Sequence, residues 1–509
     1  MALIVAGERS GVGKTTVTLA MLAYLCRGHR VESIAAPVVQ SFKVGPDYID
    51  PMFHRFVTGR PCRNLDPILT SASYVEQCFF RHVAVSDVAL IEGVMGLFDG
   101  VSGADDVGST AHIARLLKVP IVLVLDCRRL SRSVGAIAHG FKTFDPSIQI
   151  AGWVLNQVGS DRHLTMLTEA LKPLGLPIVG MIRRDSDLTL PDRHLGLVPT
   201  DELPALDAVI EQLAQLGKHC FDWDTLLPLL STPSGAEQSE AEQQEATQSN
   251  AKVLTSSHPH SFVTVNRFYH QGEGRQGDDF TQAQRIAVAR DRAFNFYYAD
   301  NLERLTEFGA DIVEWSPLND DALPSDVSGL YLGGGFPEVF AAELSRNRVM
   351  RHAVKGAIAA GMPTYAECGG LMYLCEYLVD FDGQMWPMVG VLPTTVRMGK
   401  KLTLGYRRAI AQHDGPLLSK DSVVWGHEFH RSTVDDHSTT PQPMTRPYRI
   451  RGYHPENPTR SEGWSCHNLH ASYVHLHWGD RPDIPKRFIT QCQIWASRLS
   501  NGSNRVENK

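Results

Sequence analysis

The chain has 509 residues, 43% of them hydrophobic and 21% charged, with a net charge of −7. That length exceeds one ordinary core and asks for two or three domains. The acidic balance argues against nucleic acid held by phosphate neutralisation. Apolar runs such as Pro120 to Leu125 are too short to span a bilayer.

An apolar run, Leu3 to Ala6, reads as one buried strand and starts too early to leave room for a signal peptide. Gly7-Glu-Arg-Ser-Gly-Val-Gly-Lys-Thr-Thr16 follows it, and Val17 to Leu25 reads as a helix. Strand, glycine-rich loop, Gly-Lys-Thr and helix form a phosphate-binding arrangement. Gly11 and Gly13 let backbone N–H groups approach phosphate oxygens, Lys14 supplies a charge to ATP, and the Thr15 hydroxyl, followed by Thr16, can hold Mg²⁺. The first glycine is Gly7, one place earlier than the common loop requires.

Further apolar runs at Val88–Ile91, Ile121–Leu125, Ile150–Leu155 and Ile178–Met181 alternate with helical stretches such as Ala111–Leu117. This predicts a doubly wound, parallel α/β sheet over residues 1–225, with active groups at the carboxyl ends of strands. Three stretches fall at such ends. Phe42 to Pro51 reads as a loop with Gly-Pro and Asp-Pro; it carries Lys43, able to touch a phosphate or a substrate carboxylate, and two carboxylates, Asp47 and Asp50. Glu92 ends an apolar strand, the place for a carboxylate that orders Mg²⁺ beside a phosphate loop. Asn156, at another strand end, can hydrogen-bond an adenine edge.

From Thr232 to about Ser261 the composition turns to Ser, Glu and Gln, and 226–283 reads as an interdomain linker. A second α/β domain, 284–485, starts at Arg285–Ala289. Gly333-Gly-Gly335 after a strand leaves N–H groups free for an oxyanion. In Pro363 to Met372 a strand ends at Glu367 and a helix starts near Gly370, so Cys368 sits on a nucleophile elbow with its thiolate favoured. The general base falls in Ser472 to Trp478, where His475 and His477 would face one side of a strand. A competing arrangement is a metal cluster, since Cys466, His467, His470, His475 and His477 lie within twelve positions, although no pair has familiar zinc spacing. Residues 486–509 read as a helix and a polar tail fraying from about Asn501. Nine cysteines without a CxxC pair suit a reducing, cytoplasmic setting.

Six motifs, taken in order, resemble the glutamine-dependent corrin amidases. They are Ser10-Gly-Val-Gly-Lys-Thr-Thr16, Lys43-Val-Gly-Pro-Asp-Tyr-Ile-Asp-Pro51, Glu92-Gly-Val-Met-Gly-Leu-Phe-Asp-Gly100, Leu332-Gly-Gly-Gly-Phe-Pro-Glu338, Ala366-Glu-Cys-Gly-Gly-Leu-Met372 and Gly426-His-Glu-Phe-His430. The resemblance covers roughly residues 1–200 and 285–480. It implies a dethiobiotin-synthetase-like domain that uses Mg-ATP to phosphorylate a substrate carboxylate, and a class I glutaminase domain that supplies ammonia. The substrates it implies are cobyrinate, glutamine and ATP, with no membrane or nucleic-acid partner and room for a homodimer. By the same resemblance Cys368 attacks the glutamine amide, His475 is its base, and the N–H groups near Gly335 and Gly369 form the oxyanion hole. Thr15, Asp47 and Glu92 are the implied Mg²⁺ set, Asp50 and Asp99 order substrate and metal, and Tyr48 touches the macrocycle.

Many class I glutaminases place a Glu two residues after the histidine. Here that position is His477, a departure this branch shares, and what orients His475 stays open. The implied activity is that of a glutamine-hydrolysing carbon–nitrogen ligase acting on the a and c carboxylates of cobyrinate, in cobalamin biosynthesis. The same amidation of hydrogenobyrinate or nickel-sirohydrochlorin is the nearest rival. A chromosome- or septum-positioning switch ATPase is the rival from another class. It would carry a second lysine before the loop glycines, where Glu8 and Arg9 stand, and has no use for Cys368.

Overall fold

The structure is a computed structural model that describes residues 2–28, 37–184, 192–193, 196–203, 205–230, 283–435 and 444–506. The linker expected around Thr232–Ser261 lies outside the described residues.

The first domain is built on β1 (Ala2–Gly7), β2 (Val39–Val44), β3 (Arg63–Leu65), β4 (Val88–Glu92), β5 (Ile121–Asp126), β6 (Ile150–Val158) and β7 (Ile178–Arg183). They pair in parallel in the order β3-β2-β4-β1-β5-β6-β7. Every residue of β1, β4 and β5 is buried, as expected where helices cover both faces of a parallel sheet. Helix α1 (Lys14–Ala23) starts three residues before the expected Val17, and eight of its ten residues are buried. Helix α2 (Ile49–Thr58) follows β2. Lys43 therefore sits on a strand and not in the expected loop, which begins at Gly45. A short hairpin, β8 (Asp192–Arg193) and β9 (Gly196–Leu197), comes after this sheet.

The second domain has two sheets. The first comprises β10 (Gln284–Ala289), β11 (Ala310–Trp315), β12 (Gly329–Leu332) and β13 (Thr364–Glu367). Its order is β11-β10-β12-β13-β21-β20, parallel except at the β20–β21 edge, where β20 is Trp464–Cys466 and β21 is Leu469–Ser472. The other sheet runs from β14 (Cys375–Val379) and β15 (Met385–Pro387) into a long hairpin, β16 (Leu392–Ala411) and β17 (Val423–Val434). It is completed by β18 (Tyr448–Arg451), β19 (Arg460–Glu462) and β22 (His475–Leu476). The last helix, Asp483–Val506, continues through the segment expected to fray from Asn501. No helix among the described residues is long and apolar enough to cross a membrane.

The two domains share a core. Phe296, Tyr298 and Phe336 of the second domain belong to the same buried cluster as Tyr48, Ile49 and Phe53 of the first. Arg63 pairs with Glu303 and approaches Asp300 at 3.6 Å, while the Tyr74 hydroxyl donates to Asp300 at 2.6 Å. This places the carboxyl edge of the first sheet against the second domain.

Candidate active sites

The first site forms where β1 runs into the phosphate loop. Gly11 (φ +76°) and Gly13 (φ +93°) take backbone conformations that other residues rarely adopt. A Cβ on Gly13 would stand 2.4 Å from the Asn156 side-chain nitrogen. Asn156 Nδ2 donates to the Val12 carbonyl at 2.8 Å, and its Oδ1 accepts from the Gln157 N–H. Asn156, expected at an adenine edge, stands at the end of the strand beside the phosphate loop and also braces that loop from β6. Lys14 is buried, and its Nζ donates to the Met95 carbonyl at 2.5 Å. Burial, then the charge of Lys43, holds Lys14 down to about 8. Thr16 lies half-buried in the first turn of α1.

Around Thr15 the carboxylates gather. Its hydroxyl donates to Glu92 Oε1 at 2.6 Å and lies 3.4 Å from Asp50 Oδ2. Lys43 Nζ stands at 2.5 Å from Asp50, 3.0 Å from Glu92 and 3.5 Å from Asp47. Lys43, expected to reach a phosphate or a substrate carboxylate, is thus buried between three of the protein's own carboxylates. Burial alone would lower its pKa; Asp50, Glu92 and Asp47 outweigh that and keep it charged. Asp47 also accepts from the N–H groups of Ile49 and Asp50, which fixes the start of α2. Asp50 stands inside the carboxylate group, nearer to Thr15 than the expected substrate role implies. Exposed Asp99 accepts from the Gly96 N–H at 2.8 Å and shapes the loop after Glu92.

Sequence reasoning missed His54, whose Nε2 meets Glu92 Oε2 at 2.7 Å. It lies four residues after Asp50 on α2, so a helical reading of that segment puts both on one face. The hydroxyl of Thr15 and the oxygens of Asp47, Asp50 and Glu92 are hard donors around one cationic centre, a set that fits Mg²⁺. The tightest ligand triple among the described residues is elsewhere, Cys78, His82 and Asp300. Its Asp300 is already engaged by Tyr74 and Arg63, which leaves little for a cation.

The second site forms at the end of β13. Cys368 caps the helix Gly369–Leu374 with φ +45° and ψ −97°, a strained position for a residue with a side chain. Its N–H donates to the Ser472 carbonyl at 2.8 Å. Gly335 (φ +154°) has no room for a Cβ, which would meet the Ala293 carbonyl at 2.1 Å. A Cβ on Gly369 would lie 2.9 Å from the Gly335 nitrogen. The backbones of Gly335 and Gly369 therefore lie close together beside Cys368. Burial, then Glu338 and Glu367, pushes the Cys368 thiol well above its ordinary value, so it is neutral at rest.

His475 lies on β22 with its ring against the oxyanion loop; a Cβ on Gly334 would stand 2.6 Å from His475 Cε1. A carboxylate stands near its Nδ1 at the elbow itself. Glu367, the residue before the cysteine, places Oε2 3.7 Å from His475 Nδ1. The Glu367 carboxylate is buried, and it accepts from the Leu476 N–H at 3.1 Å, from Tyr331 at 3.3 Å and from the Tyr365 hydroxyl. A glutamate ending an otherwise apolar strand was the available signal. His477 turns to the domain interface, 3.8 Å from Asp300.

Tyr48, expected at the macrocycle, is buried between the sites. Its ring centroid is 4.5 Å from that of Tyr298, 5.3 Å from Phe296 and 5.1 Å from His475. The alternative metal cluster does not assemble among the described residues. His470 packs between Tyr365 and Tyr448, away from His475. In the Gly426–His430 motif, Glu428 is held by Arg407 and Arg460, and His430 stacks on Tyr473 at 3.9 Å. A cavity of about 770 Å³ opens beside the elbow helix, lined by Leu371, His430, Ser432 and Tyr473 among others.

The family models divide the chain where the sites divide it. Residues 3–198 match the CobQ/CobB/MinD/ParA nucleotide binding domain, and residues 285–483 match the CobB/CobQ-like glutamine amidotransferase domain. Over nearly its whole length the chain is similar to proteins named cobyrinate a,c-diamide synthase. The one from Synechococcus sp. is 53% identical over 97% of this chain and 98% of its own. The one from Synechocystis sp. is 48% identical over 98% and 95%. A protein named hydrogenobyrinate a,c-diamide synthase, from Streptomyces coelicolor, is 39% identical over 96% and 97%. With both domains matched and relatives covered from end to end, the chain belongs to the a,c-diamide synthase family of glutamine-dependent corrin amidases.

Proposed function

We propose that this protein amidates the a and c carboxylates of cobyrinate, using ATP and ammonia released from glutamine. Each round converts one carboxylate, one ATP, one glutamine and one water into a carboxamide, ADP, phosphate and glutamate. The observation that carries this reading is the pairing of a phosphate loop ringed by carboxylates with a strained-cysteine elbow, in contact through Tyr48 and His475.

A carboxylate does not accept ammonia without a leaving group, and an acyl phosphate provides one. The loop N–H groups around Gly11 and Gly13 and the Lys14 ammonium hold the transferred phosphate. Thr15, Asp47, Asp50 and Glu92 would hold Mg²⁺, with His54 fixing the second oxygen of Glu92. When bound, that ion offsets the charge of nucleotide and substrate. In the second domain glutamine enters the cavity beside the elbow helix. His475 takes the Cys368 proton as the sulfur attacks the amide carbon, and the N–H groups of Gly335 and Gly369 receive the oxyanion. Ammonia leaves, and water then releases glutamate from the thioester. The nine free cysteines and the need for ATP and glutamine fit work in the cytoplasm.

The test is mass spectrometry of cobyrinic acid incubated with the protein, Mg-ATP and glutamine. Two carboxyl-to-carboxamide conversions with stoichiometric ADP and glutamate are expected. Cys368→Ala should lose at least about 10³-fold in glutamine-dependent rate while keeping ammonia-dependent synthesis. Lys14→Ala should abolish both. If Cys368→Ala loses both together, the division of labour between the domains is wrong.

A further inference from the structure

One face of the long hairpin looks toward the first domain and carries charges that are not paired among the described residues. Side chains alternate along a strand, so Tyr406, Arg408 and Ile410 of β16 share a face. Across β18, Arg408 is directly opposite Arg451, and Ile410 is opposite Arg449. Across β17, Tyr406 is opposite His427 and Arg408 is opposite Trp425. Tyr406 shows where the face points: its hydroxyl donates to Asp66 at 2.9 Å, and its ring packs on the core of the first domain. Arg408 lies about 7 Å further along the strand. There a groove of about 370 Å³ opens, lined by Arg408, Ile410, Arg449, Ile450, Arg451 and Thr459.

Three arginines line it. Like charges directly opposite one another destabilise an antiparallel pair. Among the described residues none of the three has a hydrogen bond or ion pair from its side chain. The reverse face of the same strands differs: there Arg407 and Arg460 both hold Glu428. The groove also adjoins the amidation site. Asp66 follows β3, and on β3 the Asn64 amide holds the carbonyls of Gly45 and Asp47, in the loop that carries the site's carboxylates. Trp425 and Tyr453, with ring centroids 5.6 Å apart, stand beside it as an apolar flank.

We propose that this groove binds peripheral carboxylates of the tetrapyrrole substrate and holds the macrocycle with its reacting carboxylate turned toward Thr15 and Glu92. The proposal rests on the reading that the substrate is a corrin polycarboxylate. The phosphate-loop site offers such a substrate little free positive charge, because Lys43 is taken up by Asp47, Asp50 and Glu92. Arginine is the residue suited to take carboxylates in bidentate fashion.

The experiment uses the full chain. Binding of cobyrinic acid is followed by equilibrium dialysis, and steady-state rates are measured for wild type, Arg449→Gln and the double variant Arg408→Gln/Arg451→Gln. Arg449 is exposed, so its replacement leaves the fold intact. Each lost charge-assisted contact should weaken cobyrinic acid roughly tenfold, in both Kd and KM. The KM for ATP and the rate of glutamine hydrolysis should stay at wild-type values, and the variants should lose salt dependence of corrinoid binding. Wild-type corrinoid affinity in both variants, with an active wild-type enzyme, would overturn the groove and leave the proposed function standing. A wild-type protein that neither binds nor amidates cobyrinic acid, hydrogenobyrinic acid or nickel-sirohydrochlorin overturns the function itself, and the groove with it.

Discussion

Lys14 has to be charged where it meets phosphate, yet it sits where charge is costly. Burial and the neighbouring Lys43 bring it from the ordinary 10.5 to about 8. In the free enzyme its charge is therefore lost as pH rises through about 8, and kcat/KM for ATP should fall above that pH. Bound phosphates favour the charged form, so kcat at saturating ATP should hold to higher pH. The stability effect has the opposite sign. A lysine whose pKa is lower in the folded protein binds its proton less well there than in the unfolded chain. Its contribution to stability thus improves between about 8 and 10.5, and the loss of activity is not unfolding. A kcat/KM for ATP that stays level to pH 10 would remove Lys14 titration from the account. Residues of this kind were legible, because the loop spacing itself names Lys14 and Thr15. His54 was not, and neither was the contact by which Asn156 braces the loop, since their partners Glu92 and Val12 are distant in the chain and only the fold brings them together.

At the scale of elements, long apolar runs announced β1, β4, β5 and β6, since parallel strands buried on both faces have no polar alternation to confuse the reading. β2 escaped because Gln40, Ser41 and Lys43 interrupt it, and two of them, Gln40 and Lys43, are buried on partners outside the strand. Gln40 holds the Pro61 carbonyl, and Lys43 holds three carboxylates. The elbow after β13 was legible from its glycines, but its second contribution was not. One turn carries both Cys368, the proposed nucleophile, and Glu367, whose carboxylate approaches His475, the proposed base. On the proposed mechanism Glu367 would be a positioning residue, acting on the reaction through His475. At 3.7 Å the pair is one short adjustment from a hydrogen bond, as resting catalytic contacts often are. Glu367→Gln keeps the size and the hydrogen-bonding capacity, so the fold should survive. Glutamine hydrolysis should drop roughly 10²-fold while ammonia-dependent amidation persists. Unaltered glutaminase kinetics in this variant would leave His475 without a third member.

At the scale of the molecule, the two sites are joined by more than a surface contact. Arg63, Tyr74 and Asp300 tie the domains at one margin, and Tyr406 and Asp66 tie them near another. Between these ties lies Tyr48. Its backbone neighbour Asp47 faces Lys43 among the carboxylates, and its ring leans on Tyr298 and His475. One residue thus touches the surroundings of both proposed sites, and a shielded ammonia path between them would run past it. Replacing the ring tests whether this contact only fills space. Tyr48→Leu keeps an apolar side chain of lesser volume and should cost about 1–3 kcal/mol of stability, which a thermal melt measures. Both half-reactions should continue, because neither Cys368 nor Lys14 is touched. Their balance should not. In the wild type one glutamate appears for each amide formed; in Tyr48→Leu glutamate should exceed amide by roughly twofold or more as ammonia escapes or hydrolysis runs unprompted. Ammonia-dependent synthesis gives the control, since it bypasses the passage and should stay near the wild-type rate. A ratio that remains at one, with the melt lowered as expected, would assign Tyr48 to packing alone and move the coupling of the sites to the Arg63–Asp300 margin.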